Sequence, residues 1–330
     1  MRNRLELAQQ FVQEKLQQRT DIIAAWVGGS TARGEDTESS DIDLVLLVPG
    51  ESAENLGRGD VDAWREGVYI EAGFISQKEY CDLETVMQDP FKATHMNDAL
   101  ILYDPTGFVT QMQQAVRPLF MKPQWLSKRL KFWVDIGHTH CDKLRQACTL
   151  ADPLAICAAM MWLIFSGVSV PLLRVGKTPS SSRGLLQLGS VSRPLYAQLC
   201  VLEGSGSMKA EDTAALQPLL LETLQLMDRK VWGDLPAYFT KKSEWLVRQG
   251  YISEAIHAMW MVIGLIPMNL SQTDDPTVKA KAVTLTNAWL QQLGWTSQTV
   301  LTTKIHLAET LVAEIEKEAA NLPPSAVLSA

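Results

Sequence analysis

Gly28-Gly29-Ser30-Thr31-Ala32-Arg33-Gly34, followed by Ser40-Asp41-Ile42-Asp43-Leu44, sets the frame for everything around it. The apolar run Ile22 to Val27 leads into the glycines, and Leu44 to Val48 leads out of the aspartates. Short runs of this kind bounded by turn residues read as buried strands. The stretch is therefore strand, tight turn, about one helical turn, polar loop, strand. Glycine permits positive φ and removes the Cβ that would hold a ligand off the backbone. N–H groups opening the short helix suit an anion, and the Ser30 hydroxyl and Arg33 guanidinium suit phosphate oxygens. Asp41 and Asp43 project from one face of their strand, about 7 Å apart along it. Two such carboxylates repel each other unless a cation sits between them. Mg²⁺ favours one or two carboxylates together with phosphate oxygens. A glycine-rich turn or an acidic edge strand is ordinary by itself. Both together, in this order and flanked by strands, favour a site for a metal-bound phosphate.

These residues are similar to the signature of the DNA polymerase β-like nucleotidyltransferase superfamily. Among its members they most resemble small bacterial enzymes that adenylylate aminoglycoside and lincosamide antibiotics. The resemblance rests on Gly28-Gly29-Ser30, Arg33-Gly34 and Ser40-Asp41-Ile42-Asp43-Leu44, all in the first third of the chain. It implies Mg²⁺-dependent transfer of a nucleoside monophosphate, AMP from ATP foremost, to a hydroxyl of a small acceptor such as an antibiotic, with pyrophosphate released. It places Asp41 and Asp43 on one or two Mg²⁺ ions, and Gly28, Gly29, Ser30, Arg33 and Ser40 on the nucleotide phosphates. It also implies a third carboxylate on a neighbouring strand, which makes Asp41, Asp43 and Glu71 the catalytic and metal-binding set. Glu71 is the lone acid in the apolar run Val68 to Ile75. Many relatives have Asp there, so Glu71 can be read as ligand or as base, with Asp62 and Glu66 as the other choices.

Composition bounds the rest. The chain has 330 residues, 46% hydrophobic and 20% charged, as expected for a globular protein of two domains. A net charge of −7 argues against a surface built for nucleic-acid polymers. Five cysteines without a C-x-x-C pair read as reduced thiols, and the N-terminus lacks a signal-peptide core, so a cytoplasmic enzyme is expected. A homodimer stays open.

The expected fold is α+β. A nucleotidyltransferase domain over residues 1–117, a mixed β-sheet flanked by helices, precedes an all-helical domain over 118–330 that covers the active-site cleft. Helices are expected over Leu5 to Gln18, Ser76 to Met87, Phe91 to Met96 and Phe108 to Val116, with a strand over Ala99 to Tyr103. Pro49 to Asp60 reads as a polar loop and Pro118 to Pro123 as the linker. Beyond it, helices are expected at 124–150, 153–165, 194–202, 210–231, 235–248, 253–263, 276–293 and 297–319, with a fraying tail from Asn321. The uncharged run Leu154 to Leu173 could span a bilayer by length, but Gly167 and Pro171 interrupt it. A buried helix ending near Phe165 is expected instead, and no membrane partner.

Other polar groups compete for roles. His138, His140 and Cys141 invite a metal, yet only His138 and Cys141 share a helix face, and further ligands at zinc spacing are missing. Lys128, Arg129 or Lys131 could neutralise departing pyrophosphate, with Arg174, Lys177 and the pair Lys241-Lys242 as weaker choices. The loop Thr178 to Gly184 and one or two of the tryptophans beyond the linker could line an acceptor pocket. Two other functions stand beside the small-molecule transferase. One is a protein AMP-transferase, regulatory or of the toxin–antitoxin kind. The other is a non-catalytic nucleotide-binding module, which would have no need of two adjacent carboxylates.

Overall fold

Asn3 starts the first helix by accepting the Leu5 N–H at 3.1 Å, and α1 then runs Arg4–Gln18. The computed structural model describes residues 3–50, 61–227, 234–270 and 275–321. Leu7, Ala8, Phe11 and Val12 of α1 lie three and four residues apart and enter one core with Ile42, Leu44, Leu46 and Ile70. Those last residues belong to a five-stranded sheet: β1 (Ala24–Val27), β2 (Ile42–Val48), β3 (Ala63–Arg65), β4 (Val68–Ser76) and β5 (Leu100–Tyr103), in the order β3-β4-β2-β1-β5. β2 and β4 run parallel, and the other three pairings are antiparallel. The opposite face presents Ala24, Trp26, Val45 and Leu47 to a second core. Helices α3 (Leu83–Gln88), α4 (Pro90–Asp98) and α5 (Phe108–Val116) supply Val86, Met87, Ala93, Met96, Val109 and Val116 to it. This is the mixed sheet flanked by helices that strand–helix alternation predicts.

Two local readings change. β3 was not expected, because three residues carry too little alternation to read; it is formed by a hairpin through Glu66 and Gly67, both at positive φ. The helix expected from Ser76 to Met87 is two pieces. Ser76 caps a 3₁₀ turn over Gln77–Tyr80, and Asp82 then accepts the Thr85 N–H at 2.7 Å to start α3 afresh. The helix expected over 210–231 stops earlier, at Leu224, where Gln225 is the C-cap. Residues 228–231 of that expectation, the expected loop over 51–60 and the tail from 322 lie outside the described residues.

Among the described residues no strand follows Tyr103. The helices are α6 (Pro123–Leu150), α7 (Pro153–Arg174), α8 (Gly184–Val191), α9 (Arg193–Glu203), α10 (Ala210–Leu224), α11 (Leu235–Arg248), α12 (Ile252–Ile263), α13 (Ile266–Leu270), α14 (Pro276–Gln292) and α15 (Gln298–Ala320). The chain divides into two units. The first holds residues 1–129 with 229–238, and the second holds 130–228 with 239–330. The divisions fall inside α6 and α11, so the region bracketed by Pro118 and Pro123 lies within the first unit.

α7 is the one helix among the described residues long and apolar enough to cross a membrane, and 83% of that window is buried within the protein. It does not stop near Phe165 but continues through Pro171 to Arg174. An interior proline costs about 3 kcal/mol. Val168, Val170, Leu172 and Leu173 are all buried beyond Phe165, and each buried aliphatic side chain gains about 1.5–3 kcal/mol, so packing prevails. α7 also leaves no spare room where α12 ends. A Cβ on Gly264 would lie 2.3 Å from Met161 Cβ and 3.0 Å from the Cys157 carbonyl. Gly264→Ala is expected to lower unfolding free energy by about 1–3 kcal/mol, measured by urea denaturation of the full chain.

Candidate functional site

Asp43 on β2 lies opposite Glu71 on β4 in the parallel register, and Asp41 just precedes β2 on the same side. Asp41 is buried, while Asp43 and Glu71 are partly buried. One ligand oxygen from each of the three lies within 4.8 Å of the others. Three carboxylates this close, with no nitrogen or sulfur donor in the set, fit a hard oxygen-seeking cation such as Mg²⁺. Of the other choices for the third acid, Asp62 is committed elsewhere. Its Oδ1 accepts the Ala72 N–H at 2.9 Å and its Oδ2 accepts the Tyr69 hydroxyl at 2.5 Å. Glu66 sits at the hairpin turn.

The glycine turn is stitched onto these acids. Gly28 N–H donates to the Asp43 carbonyl at 2.8 Å, and the Thr31 hydroxyl donates to the Asp41 carbonyl at 3.1 Å. Gly29 has φ of 58°, and a Cβ there would fall 1.6 Å from Asp43 Oδ2. Only glycine fits such a backbone against such a neighbour. Ser30 is buried in α2 (Gly29–Ala32). The Arg33 guanidinium is paired with Glu35 at 2.9 Å and Asp98 at 3.1 Å. The Ser40 hydroxyl is turned into its own loop, where it accepts the Thr37 N–H at 2.8 Å. Arg4 holds that loop from α1, donating to the Ser40 and Glu38 carbonyls and pairing with Asp36.

A cleft of about 400 Å³ opens beside the acids, lined by Gly28, Asp43, Glu71, Gly73, Trp26, Phe74 and His95 among others. Its described lining has two carboxylates and no lysine or arginine, which favours a cation there. Burial lowers the His95 pKa, which favours the neutral imidazole there. Gly73 has open space where its side chain would be, which leaves the cleft floor clear.

Two residues escaped the sequence reading. Tyr238, in α11, belongs to the first unit and is buried. Its phenol hydrogen-bonds Asp41, and its ring stacks on Tyr69 with centroids 5.5 Å apart. Burial, then the Asp41 and Asp43 charges, raise its pKa well above that of an ordinary phenol, so it is the donor in that bond. His95 is the second. Neither stands near the signature in sequence, and no spacing rule points to either.

Residues 8–91 match the family model of the nucleotidyltransferase domain. The three acids and the glycine turn fall inside the matched stretch; Tyr238 and His95 fall outside it. A solved structure of a nucleotidyltransferase-like protein from Exiguobacterium sibiricum is 9% identical to this chain. It covers 87% of this chain and 90% of its own, with a TM-score of 0.35, a similarity too low to bear on fold or chemistry. No curated protein matches the chain.

The remaining candidates have local occupations. Arg129 is fully buried, donates to the Met87 and Phe120 carbonyls and lies over the Phe120 ring, so it is not available to a phosphate. Lys128 pairs with Glu84, Lys131 with Asp135 and Arg174 with Glu318, while Lys177 donates to Ser190. The loop at 178–184 is tied to Gln187, which accepts the Ser180 N–H and donates to the Thr178 carbonyl. Trp26 of β1 lies beneath the cleft, fully buried. His138 faces Glu316, and His140 stacks on Trp162 at 5.7 Å.

Two outcomes follow. In Gly29→Ala the methyl group must displace the Asp43 carboxylate; Mn²⁺ affinity measured by calorimetry should fall by roughly tenfold or more. Burial lowers the His140 pKa to about 4 from 6.5. Between those values the unfolded chain takes up a proton there and the folded chain does not. Stability therefore falls as pH drops through this window, by up to about 1.4 kcal/mol per pH unit. His140→Phe keeps a ring on Trp162 and should lose this component, read from urea midpoints across the window.

Proposed function

We propose that this chain transfers a nucleoside monophosphate, AMP from ATP foremost, to a hydroxyl of a small-molecule acceptor such as an antibiotic, releasing pyrophosphate. The observation that carries this reading is the convergence of Asp41, Asp43 and Glu71 within 4.8 Å, beside the glycine turn of a matched nucleotidyltransferase domain. Asp41, Asp43 and Glu71 are the residues that would hold Mg²⁺, which when bound offsets triphosphate charge and the charge that grows as the α-phosphorus is attacked.

The chain's own groups do the rest. Gly28 and Gly29 keep the backbone low beside Asp43, leaving room for phosphate oxygens, and Ser30 adds a hydroxyl in the same turn. Arg33 can join them by exchanging Glu35 or Asp98 for a phosphate. The acceptor oxygen forms its bond to the α-phosphorus, and the α-phosphorus to bridging-oxygen bond breaks. Pyrophosphate leaves, and the acceptor's proton passes to a carboxylate of the acidic set, with Glu71 the first choice. His95 lines the cleft and offers an imidazole to a nucleobase or a ring-bearing acceptor. A net charge of −7 and an acidic cleft suit a neutral or cationic acceptor better than a polyanion.

The test is incubation with Mg²⁺, labelled ATP and a panel of hydroxyl-bearing small molecules that includes aminoglycosides and lincosamides. A labelled small product and pyrophosphate are expected. Asp43→Asn should lower pyrophosphate release by roughly 100-fold or more while the fold is kept. Label on a protein band would move the acceptor to a macromolecule, and bound ATP without pyrophosphate would make the chain a binding module.

A further inference from the structure

We propose that Tyr238 is the positioning residue of the acidic site: its hydroxyl holds one oxygen of Asp41 and thereby fixes the other toward the cation. The inference rests on the metal-site reading above and adds to it a residue from a distant part of the chain. Tyr238 groups with the first unit although most of the chain between residue 129 and it belongs to the second. In the folded chain Tyr238 is only 3% exposed.

Two anchors hold the Tyr238 side chain. At its tip, the hydroxyl donates to the Asp41 carboxylate. Along its face, the ring lies against Tyr69, centroids 5.5 Å apart and planes 23° apart. Tyr69 is itself held at both ends. Its hydroxyl donates to Asp62, and its ring also meets Trp64 at 5.3 Å. Asp62 in turn accepts the N–H of Ala72, the residue after Glu71. The contacts therefore run from the β4 strand beside Glu71, through Asp62, Tyr69 and Tyr238, to Asp41. The buttress ends on the side chain of one acid, Asp41, and on the backbone next to a second, Glu71.

The chemistry explains why such a buttress is useful. A carboxylate has two oxygens, and an ion needs a particular one presented at a particular angle. A buried donor on the first oxygen leaves the second for the ion and stops the group from rotating away. Partners of this kind behind metal ligands are worth about 10–100-fold in metal affinity. A phenol suits the task, since it donates one hydrogen bond and its rigid ring can be clamped by stacking.

The experiment is Mn²⁺ binding to the full chain, followed by electron paramagnetic resonance, for wild type, Asp43→Asn, Tyr238→Phe and Tyr69→Leu. Tyr238→Phe removes the hydroxyl and keeps the stacked ring, so its urea midpoint should stay close to wild type while Mn²⁺ affinity drops about 10–100-fold. Tyr69→Leu keeps the Tyr238 hydroxyl and removes its ring support, and should weaken binding less. A folded Tyr238→Phe that binds Mn²⁺ within twofold of wild type, with Asp43→Asn impaired, overturns the role of Tyr238 alone. Wild type that binds no Mn²⁺, or Asp43→Asn that binds it normally, overturns the metal-site reading and this inference with it.

Discussion

The parallel pairing of β2 with β4 is the constraint on which the site depends. It sets Asp43 beside Glu71 in register, so two like charges face each other from adjacent strands. A parallel pair needs a crossover connection, and a slip of one residue would send the acids into the core beneath α1. Ile42, Leu44, Leu46 and Val48 all point into the core against α1, which fixes the parity of the strand. The apolar side of β2 thus decides where its polar residues emerge.

The glycine turn answers the same constraint from the other side. Its hydrogen bonds go to the carbonyls of Asp41 and Asp43, the residues whose side chains make the site. Turn and acids therefore move as one piece. The missing Cβ at Gly29 makes room for the Asp43 carboxylate, and the position at Gly73 is open. The loop before Asp41 gains its shape from hydrogen bonds among Thr37, Ser39 and Ser40, and from Arg4 reaching in from α1. Preorganised first contacts held by such outer ones are what a precise polar site requires.

In the second unit, buried polar groups do a different task. Glu203 is fully buried, receives His257 at 2.8 Å and ends α9, whose last carbonyls accept from the Lys304 ammonium at 2.5 and 2.9 Å. A cation at a helix C-terminus satisfies carbonyls left over by the helix. Burial raises the Glu203 pKa, while His257 and Lys304 oppose that rise. These contacts tie α9, α12 and α15 together through groups that tolerate few other arrangements.

Much of this was legible in the chain itself. The runs Ile22 to Val27 and Leu44 to Val48, the Gly28-Gly29-Ser30 turn between them and the spacing of Asp41 from Asp43 carry the mixed sheet and the acidic pair, because local alternation and backbone freedom act over a few residues. Glu71 could be singled out because the family resemblance implies a third carboxylate and Glu71 is the lone acid in the apolar run Val68 to Ile75. What sequence could not supply were the contacts made across long separations: the pairing of Arg33 with Asp98, the burial of Arg129 on two carbonyls, the run of α7 through Pro171, and above all Tyr238 on Asp41. Each depends on which surfaces meet after the chain has folded, and no periodicity in the sequence records that.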